Sequence, residues 1–220
     1  MLTTRSSPYN TARRHFNAEL QHYRLIMKTI FILSILLSVT NTVYGDLPDK
    51  EVMLGLIVAA KERTLHEVRY DGSYITISYP DGDVPSNIGV CTDVVIRSYR
   101  KVGIDLQKEV HEDISRNFNQ YPSKNIWGLT KPDKNIDHRR VPNLQVFFRK
   151  YGASLKVSNN PGDYIPGDLV TWMLPGNLPH IGIVIDEKSR DGKRPLIVHN
   201  IGAGPEINDM LFDYPITGQI

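Results

Sequence analysis

The sequence of 220 residues contains a single cysteine, Cys91. A lone cysteine excludes any disulfide within the chain, so its thiol packs in the core, pairs with another chain, or reacts. The sequence also lacks a His-Glu-x-x-His motif, and its seven histidines do not follow the spacing of metal ligands. We therefore expect neither a metal ion nor another cofactor.

Hydrophobic runs are short, and the most apolar one has the pattern of a secretion signal. Residues 27–45, "MKTIFILSILLSVTNTVYG", combine the positive charge of Lys28 with an apolar stretch over 29–39 and small residues at 43–45. The apolar stretch is shorter than the roughly 20 residues that a membrane span needs. We therefore expect export to the periplasm, or secretion, with no membrane span left after cleavage.

Residues 1–26 precede this signal and are polar and arginine-bearing. A bacterial signal begins close to its charged residues, so we interpret 1–26 as an upstream extension and place the natural start at Met27. The competing interpretation is an uncleaved membrane anchor with a cytoplasmic basic tail.

An excess of one charge sign is also missing once the leader is set aside. Residues 1–45 hold five of the 26 basic and one of the 24 acidic side chains, so residues 46–220 carry 21 and 23, a formal charge of −2. Nucleic-acid binding requires a basic patch, which this composition does not provide. A stretch of this length without repeats predicts one globular domain over 46–220.

The residues after Cys91 have the periodicity of a helix. Apolar or aromatic side chains recur at helical spacing, and Gly103 ends the run. The apolar set is Val94, Val95, Tyr99 and Val102. Cys91 is thus predicted in the first turn, where unpaired N–H groups and the helix dipole favour a thiolate. The charge of Asp93 opposes this effect unless its side chain caps the helix or turns away.

Two histidines stand at the ends of predicted strands. His180 opens "HIGIVID" and follows the strand-like "PGDLVTWML", while His199 ends "PLIVH". Three strand runs joined by short connections predict an antiparallel meander, in which His180 and His199 lie on neighbouring strands.

Several stretches resemble the NlpC-type cell-wall peptidases, a papain-like group of cysteine enzymes. "CTDVVIRSYRKVGIDL" resembles their nucleophile helix, "PGDLVTW" with "HIGIVI" resembles their paired strands, and "IVHN" resembles the strand that follows. Together with "IDHRRVPNLQVFF", residues 46–220 resemble exported bacterial proteins grouped as domain of unknown function 1287, which is related to that group.

The resemblance implies a single α+β domain of papain-like type, with the nucleophile helix packed on an antiparallel sheet. It implies Cys91 as nucleophile, His180 as general base and His199 as the residue that orients the base. Asn200 is the alternative orienter, since an amide oxygen can accept the same hydrogen bond. Tyr79 falls near the position of a substrate-contacting tyrosine.

The function implied is hydrolysis of an amide bond outside the cytoplasm, with peptidoglycan stem peptides as the expected substrate. An acyltransferase or transpeptidase that uses the same thiol is one alternative. The other is a cell-envelope binding module that keeps the fold without turnover.

A polar cluster precedes the predicted helix that contains Pro142. It consists of Asp137, His138, Arg139 and Arg140. Guanidinium groups bind carboxylates and phosphates, so the cluster is a candidate substrate-binding site. A structural network of ion pairs is the equal alternative.

Overall fold

The computed structural model describes residues 50–152 and 154–220. The predicted upstream extension (1–26) and secretion signal (27–45) lie outside these residues. No helix in the described part of the chain is long and apolar enough to cross a membrane.

Five α-helices occupy the first two thirds of the described chain. They are α1 (Lys50–Arg63), α2 (Cys91–Lys101), α3 (Leu106–Asn117), α4 (Ser123–Trp127) and α5 (Val141–Tyr151). The helix starts follow local chemistry. The carboxylate of Asp105 accepts the N–H of Gln107 at 3.0 Å before α3, and Pro142 occupies the first turn of α5. Three short 3₁₀ helices cover Phe118–Gln120, Asp137–Arg139 and Pro161–Asp163.

The last third of the chain forms an antiparallel sheet. Its strands are β3 (Leu169–Leu174), β4 (Leu178–Lys188), β5 (Pro195–His199), β6 (Glu206–Asn208) and β7 (Ile216–Gln219), in the order β6-β5-β4-β3-β7. Two short strands, β1 (Arg69–Tyr70) and β2 (Ile88–Gly89), pair in parallel beside it. The predicted α+β class and the antiparallel arrangement of β3, β4 and β5 are confirmed.

Alternation along the strands gives the sheet two apolar faces. Ile181 and Ile183 of β4 pack with the helices in the larger core cluster, which also contains Cys91. Val184 of β4 and Trp172 of β3 belong to a second cluster on the opposite face, with Leu211 from the loop after β6. Helix α2 is thereby held against β4, with its first residue beside the sheet.

Candidate functional site

Cys91 is the first residue of α2, as the sequence predicts. Its side chain is 4% exposed. The preceding residue, Val90, is extended and supplies no side-chain cap, and the carboxylate of Asp93 accepts the Val90 N–H at 2.7 Å instead. Asp93 therefore caps the helix, one of the two arrangements in which its charge is compatible with a thiolate at Cys91.

The thiol of Cys91 is uncharged at neutral pH. Burial raises the pKa of Cys91 to about 12, and the nearby charge of Asp93 also raises this pKa. Hydrogen bonds from the backbone N–H groups of Ile181, Thr92 and Cys91 itself lower this pKa without offsetting the burial. The helix start thus favours a thiolate, as expected from the sequence, but burial outweighs it.

The hydrogen bond from Ile181 places the sulfur beside β4. The N–H of Val184 bonds to Asp168 on the β3 side, so Ile181, three residues earlier, presents its N–H toward the β5 side. Strand β5 ends at His199, and its last residue paired with β4 is Val198, opposite Ile183. The sulfur therefore takes a position that a longer β5 would occupy, next to the peptide bond that joins His180 to Ile181.

His180 and His199 form a buried pair across β4 and β5. Nε2 of His180 lies 3.1 Å from Nδ1 of His199, and the ring planes are at 88°. Each residue is 1% exposed. Trp172, opposite His180 in the register, lies against its ring with a centroid distance of 5.9 Å. These contacts hold the His180 ring and leave Nδ1 as its remaining basic atom.

Both imidazoles are neutral at pH 7. Burial lowers the pKa of His180 to about 3, with a further contribution from the charge of His199, and burial lowers the pKa of His199 to about 4. If Nδ1 of His180 is unprotonated, Nε2 donates to His199, which then carries its own proton on Nε2. That atom of His199 is buried without a hydrogen-bond partner among the described residues.

Asn200, the alternative orienter, is bonded elsewhere. Its Oδ1 accepts the N–H of Gly202 at 3.0 Å, and its Nδ2 is buried and has no partner in the part of the chain described. The structure thus brings His199, and not Asn200, into contact with the His180 ring.

Arg139 forms a buried, bidentate ion pair with Asp93. Nε lies 2.9 Å from Oδ1 and Nη2 lies 2.9 Å from Oδ2, with both side chains at most 3% exposed. Arg139 also donates to the carbonyls of Ser73 and Asp71. The hydroxyl of Thr92 donates to the carbonyl of Arg139 at 3.1 Å. For Arg139, the structural ion-pair alternative is therefore the one realised.

Asp137 and His138 are internal residues. Asp137 is fully buried, its carboxylate accepts the Asp133 N–H, and burial raises its pKa to about 6. His138 is 2% exposed, and burial lowers its pKa to about 3. Neither lines the cleft beside Cys91. The 3₁₀ turn folds both residues into the interior, and their role as substrate contacts stays a prediction.

A cleft of about 450 Å³ opens beside Cys91. Besides Cys91, its wall includes Pro179, which precedes His180, and a set of larger side chains. These are Tyr70, Tyr74, Trp127, Arg139 and Arg140. Cys91 thus lies at a cleft with an aromatic and cationic wall, and neither His180 nor His199 is among the residues that line it.

The tyrosine predicted to contact substrate lies elsewhere. Tyr79 packs edge-on against His111, with ring centroids 5.2 Å apart, and it does not line the cleft. Tyr70 and Tyr74 line the cleft instead. Burial raises the pKa of Tyr70 to about 12, and the proximity of Cys91 adds to this effect. No sequence signal distinguished these two tyrosines from the other tyrosines of the chain.

The described residues contain no group of three or more His, Cys, Asp or Glu side chains placed to hold a metal ion.

The fold and site define an α+β protein with a cysteine at a helix start against strand β4, and with a pair of histidines across β4 and β5. Residues 57–220 match the family described as "Domain of unknown function (DUF1287)", and the chain belongs to this family, as predicted. It is similar to the uncharacterized protein YijF of Escherichia coli (strain K12), with 48% identity over 165 residues. These cover 75% of this chain and 79% of the relative.

Proposed function

We propose that the protein is an exported, papain-like cysteine hydrolase of NlpC type that cleaves an amide bond, with peptidoglycan stem peptides as its substrate. The observation that carries the proposal is the position of the Cys91 sulfur at the backbone N–H of Ile181, the residue after His180, whose ring is bonded to His199. Nucleophile, base and orienter are the three parts of such a site.

The reaction begins with attack of the Cys91 sulfur on the substrate carbonyl carbon. Because the resting thiol and imidazole are both uncharged, the proton passes from the sulfur to Nδ1 of His180 as the S–C bond forms. The backbone N–H of Cys91 donates to the developing oxyanion. Protonated His180 then gives its proton to the leaving amine as the C–N bond breaks, which leaves a thioester.

Water completes the cycle. His180 removes a proton from water, and the hydroxide adds to the thioester carbonyl. As the C–S bond breaks, His180 returns this proton to the sulfur, which releases the carboxylic acid and regenerates the thiol. An amine in place of water would give a new amide, which is the acyltransferase alternative.

A binding module without turnover is the second candidate, and one observation favours it. The buried thiol has a pKa of about 12, far above that of an activated cysteine. This candidate predicts that Cys91→Ala leaves the cellular function intact.

Digestion of purified peptidoglycan with the protein and with Cys91→Ala tests the proposal, with products identified by mass spectrometry. We expect a new amine and carboxylate pair from the wild type alone, and an unchanged product pattern when a competing amine is added. A new amide would instead establish transfer. Absence of any wild-type product from several wall types would contradict the hydrolase and support the binding module.

A further inference from the structure

The cleft beside Cys91 contains two arginines whose guanidinium groups have opposite roles. That of Arg139 is engaged within the protein, because it bonds both oxygens of Asp93 and two backbone carbonyls. That of Arg140 makes no hydrogen bond to any described residue, and its Nη1 is buried without a partner among them. An arginine with unused donors at a cleft wall is available to a ligand.

The carboxylate nearest to Arg140 does not satisfy it. Asp137 Oδ1 lies 3.9 Å from Nη1, beyond hydrogen-bond length, and this oxygen also lacks a hydrogen-bond partner in the described chain. Burial lowers the pKa of Arg140, with Asp137 only partly opposing this effect. The cationic form of Arg140 is therefore incompletely compensated.

Trp127 fixes the plane of the Arg140 guanidinium. The guanidinium carbon lies 4.0 Å from the centroid of the Trp127 ring, and the Arg140 side chain is 16% exposed. A stacked guanidinium keeps its edge free for two parallel hydrogen bonds, the geometry that a carboxylate accepts. None of the described residues that line this cleft is acidic, and the Asp137 carboxylate behind the wall stays beyond hydrogen-bond length of Arg140.

We propose that Arg140, held by Trp127, binds a free carboxylate of the substrate next to the amide bond that Cys91 attacks. This inference rests on the proposed function and goes beyond it. It makes the protein selective for acidic stem peptides over the same peptides with amidated carboxyl groups. Arg140 would thus determine specificity, while Arg139 positions the start of α2.

Two pools of muropeptides test the inference, one with free carboxylates and one in which carbodiimide and ammonium convert them to primary amides. We expect the wild type to cleave the free pool about 10–100-fold faster, the loss expected for one charged hydrogen-bonded contact. Arg140→Gln should lower the rate on the free pool by this factor and leave the amidated pool unaffected. Arg140→Lys keeps the charge and should retain part of the preference.

Arg149→Gln is the matched control, because Arg149 is exposed on α5 and does not line the cleft. It should leave the preference unchanged, and urea midpoints should establish that each variant is folded. Equal cleavage of both pools by the wild type would overturn the Arg140 assignment and leave the hydrolase standing.

Absence of cleavage of both pools would overturn the hydrolase alone, and calorimetric binding of the two pools to Cys91→Ala would then decide the role of Arg140. The subsite is supported if Cys91→Ala binds the free pool more tightly than the amidated pool, and if the double variant Cys91→Ala, Arg140→Gln does not. Equal binding of the pools, or none, overturns it.

Discussion

The carboxylate of Asp93 and the guanidinium of Arg139 face each other through two hydrogen bonds of 2.9 Å beneath the start of α2. The pair joins residues 46 positions apart. The negative charge of Asp93 lies near the thiol, and the guanidinium of Arg139 compensates that charge. Asp93 also caps α2 through the Val90 N–H, so one carboxylate serves the helix and the ion pair.

Replacing Arg139 by methionine should destabilise the protein strongly. The substitution leaves Asp93 buried without its partner, and loss of one member of a buried pair costs about 3–5 kcal/mol. Urea unfolding measures this free energy, with Arg149→Met as an exposed control on α5. Combining Arg139→Met with Asp93→Asn should recover part of the loss. If the double variant is no more stable than Arg139→Met, the pair does not account for the effect.

The stability should fall as the pH is lowered from 7 to 5. Burial depresses the pKa of His138, His180 and His199 to about 3, 3 and 4, so below pH 6.5 the unfolded chain binds more protons than the native protein. The pKa of Asp137, raised to about 6, and the raised pKa of Asp168 act in the opposite direction. We expect a loss of roughly 1–3 kcal/mol per pH unit, measured by urea unfolding.

The variant with both His180→Gln and His199→Gln should have a shallower pH dependence, whereas Arg149→Gln, at an exposed position of α5, should retain the wild-type slope. A slope unchanged in the double variant would show that this histidine pair is not the origin of the pH dependence.

His199→Ala should lower kcat by about 10²–10⁴, because the His180 ring loses the contact that orients its Nδ1. Burial is the main cause of the low pKa of His180 and the charge of His199 adds to it, so the substitution should raise this pKa part of the way. NMR titration of the imidazole measures this shift independently of turnover. Asn200→Ala removes only the bond to the Gly202 N–H and should leave the His180 titration unchanged. A His180 titration that changes in Asn200→Ala and not in His199→Ala would make Asn200 the orienter.

Local periodicity accounts for what the sequence predicted correctly. The apolar spacing after Cys91 places it at a helix start, and the alternation in "HIGIVID" and "PLIVH" places His180 and His199 on adjacent antiparallel strands. Both patterns are short-range, so they survive folding unchanged.

Long-range packing accounts for the rest. The resemblance implies Tyr79 as a substrate contact. Nothing in a loop sequence reveals that Tyr74 reaches Asn135, whose Nδ2 donates to the Tyr74 hydroxyl at 2.7 Å. Cys91 is buried in a core cluster that includes residues of distant helices and of β4, which no pattern around the cysteine indicates. The sequence likewise left open whether Arg139 binds an anion or pairs internally, because Asp93 lies on another helix.

Gly182 controls the spacing between β4 and β5 at the histidine pair. A Cβ at this position would lie 2.6 Å from Cγ2 of Ile197, 3.0 Å from the Val198 carbonyl oxygen and 3.2 Å from Cβ of His199. Gly182→Ala should therefore push the strands apart, with a destabilisation of about 1–3 kcal/mol from overpacking. Urea unfolding measures this cost.

The matched control is Gly72→Ala, because the nearest atom to a Cβ there is Cγ1 of Val90 at 3.6 Å, an ordinary contact. It should change the unfolding free energy by less than about 0.5 kcal/mol. The displacement at Gly182 should also lengthen the hydrogen bond between His180 and His199, which NMR detects as a change in the titration of His180. If Gly182→Ala leaves the unfolding free energy and the His180 titration unaltered, the strand spacing does not position the pair of His180 and His199.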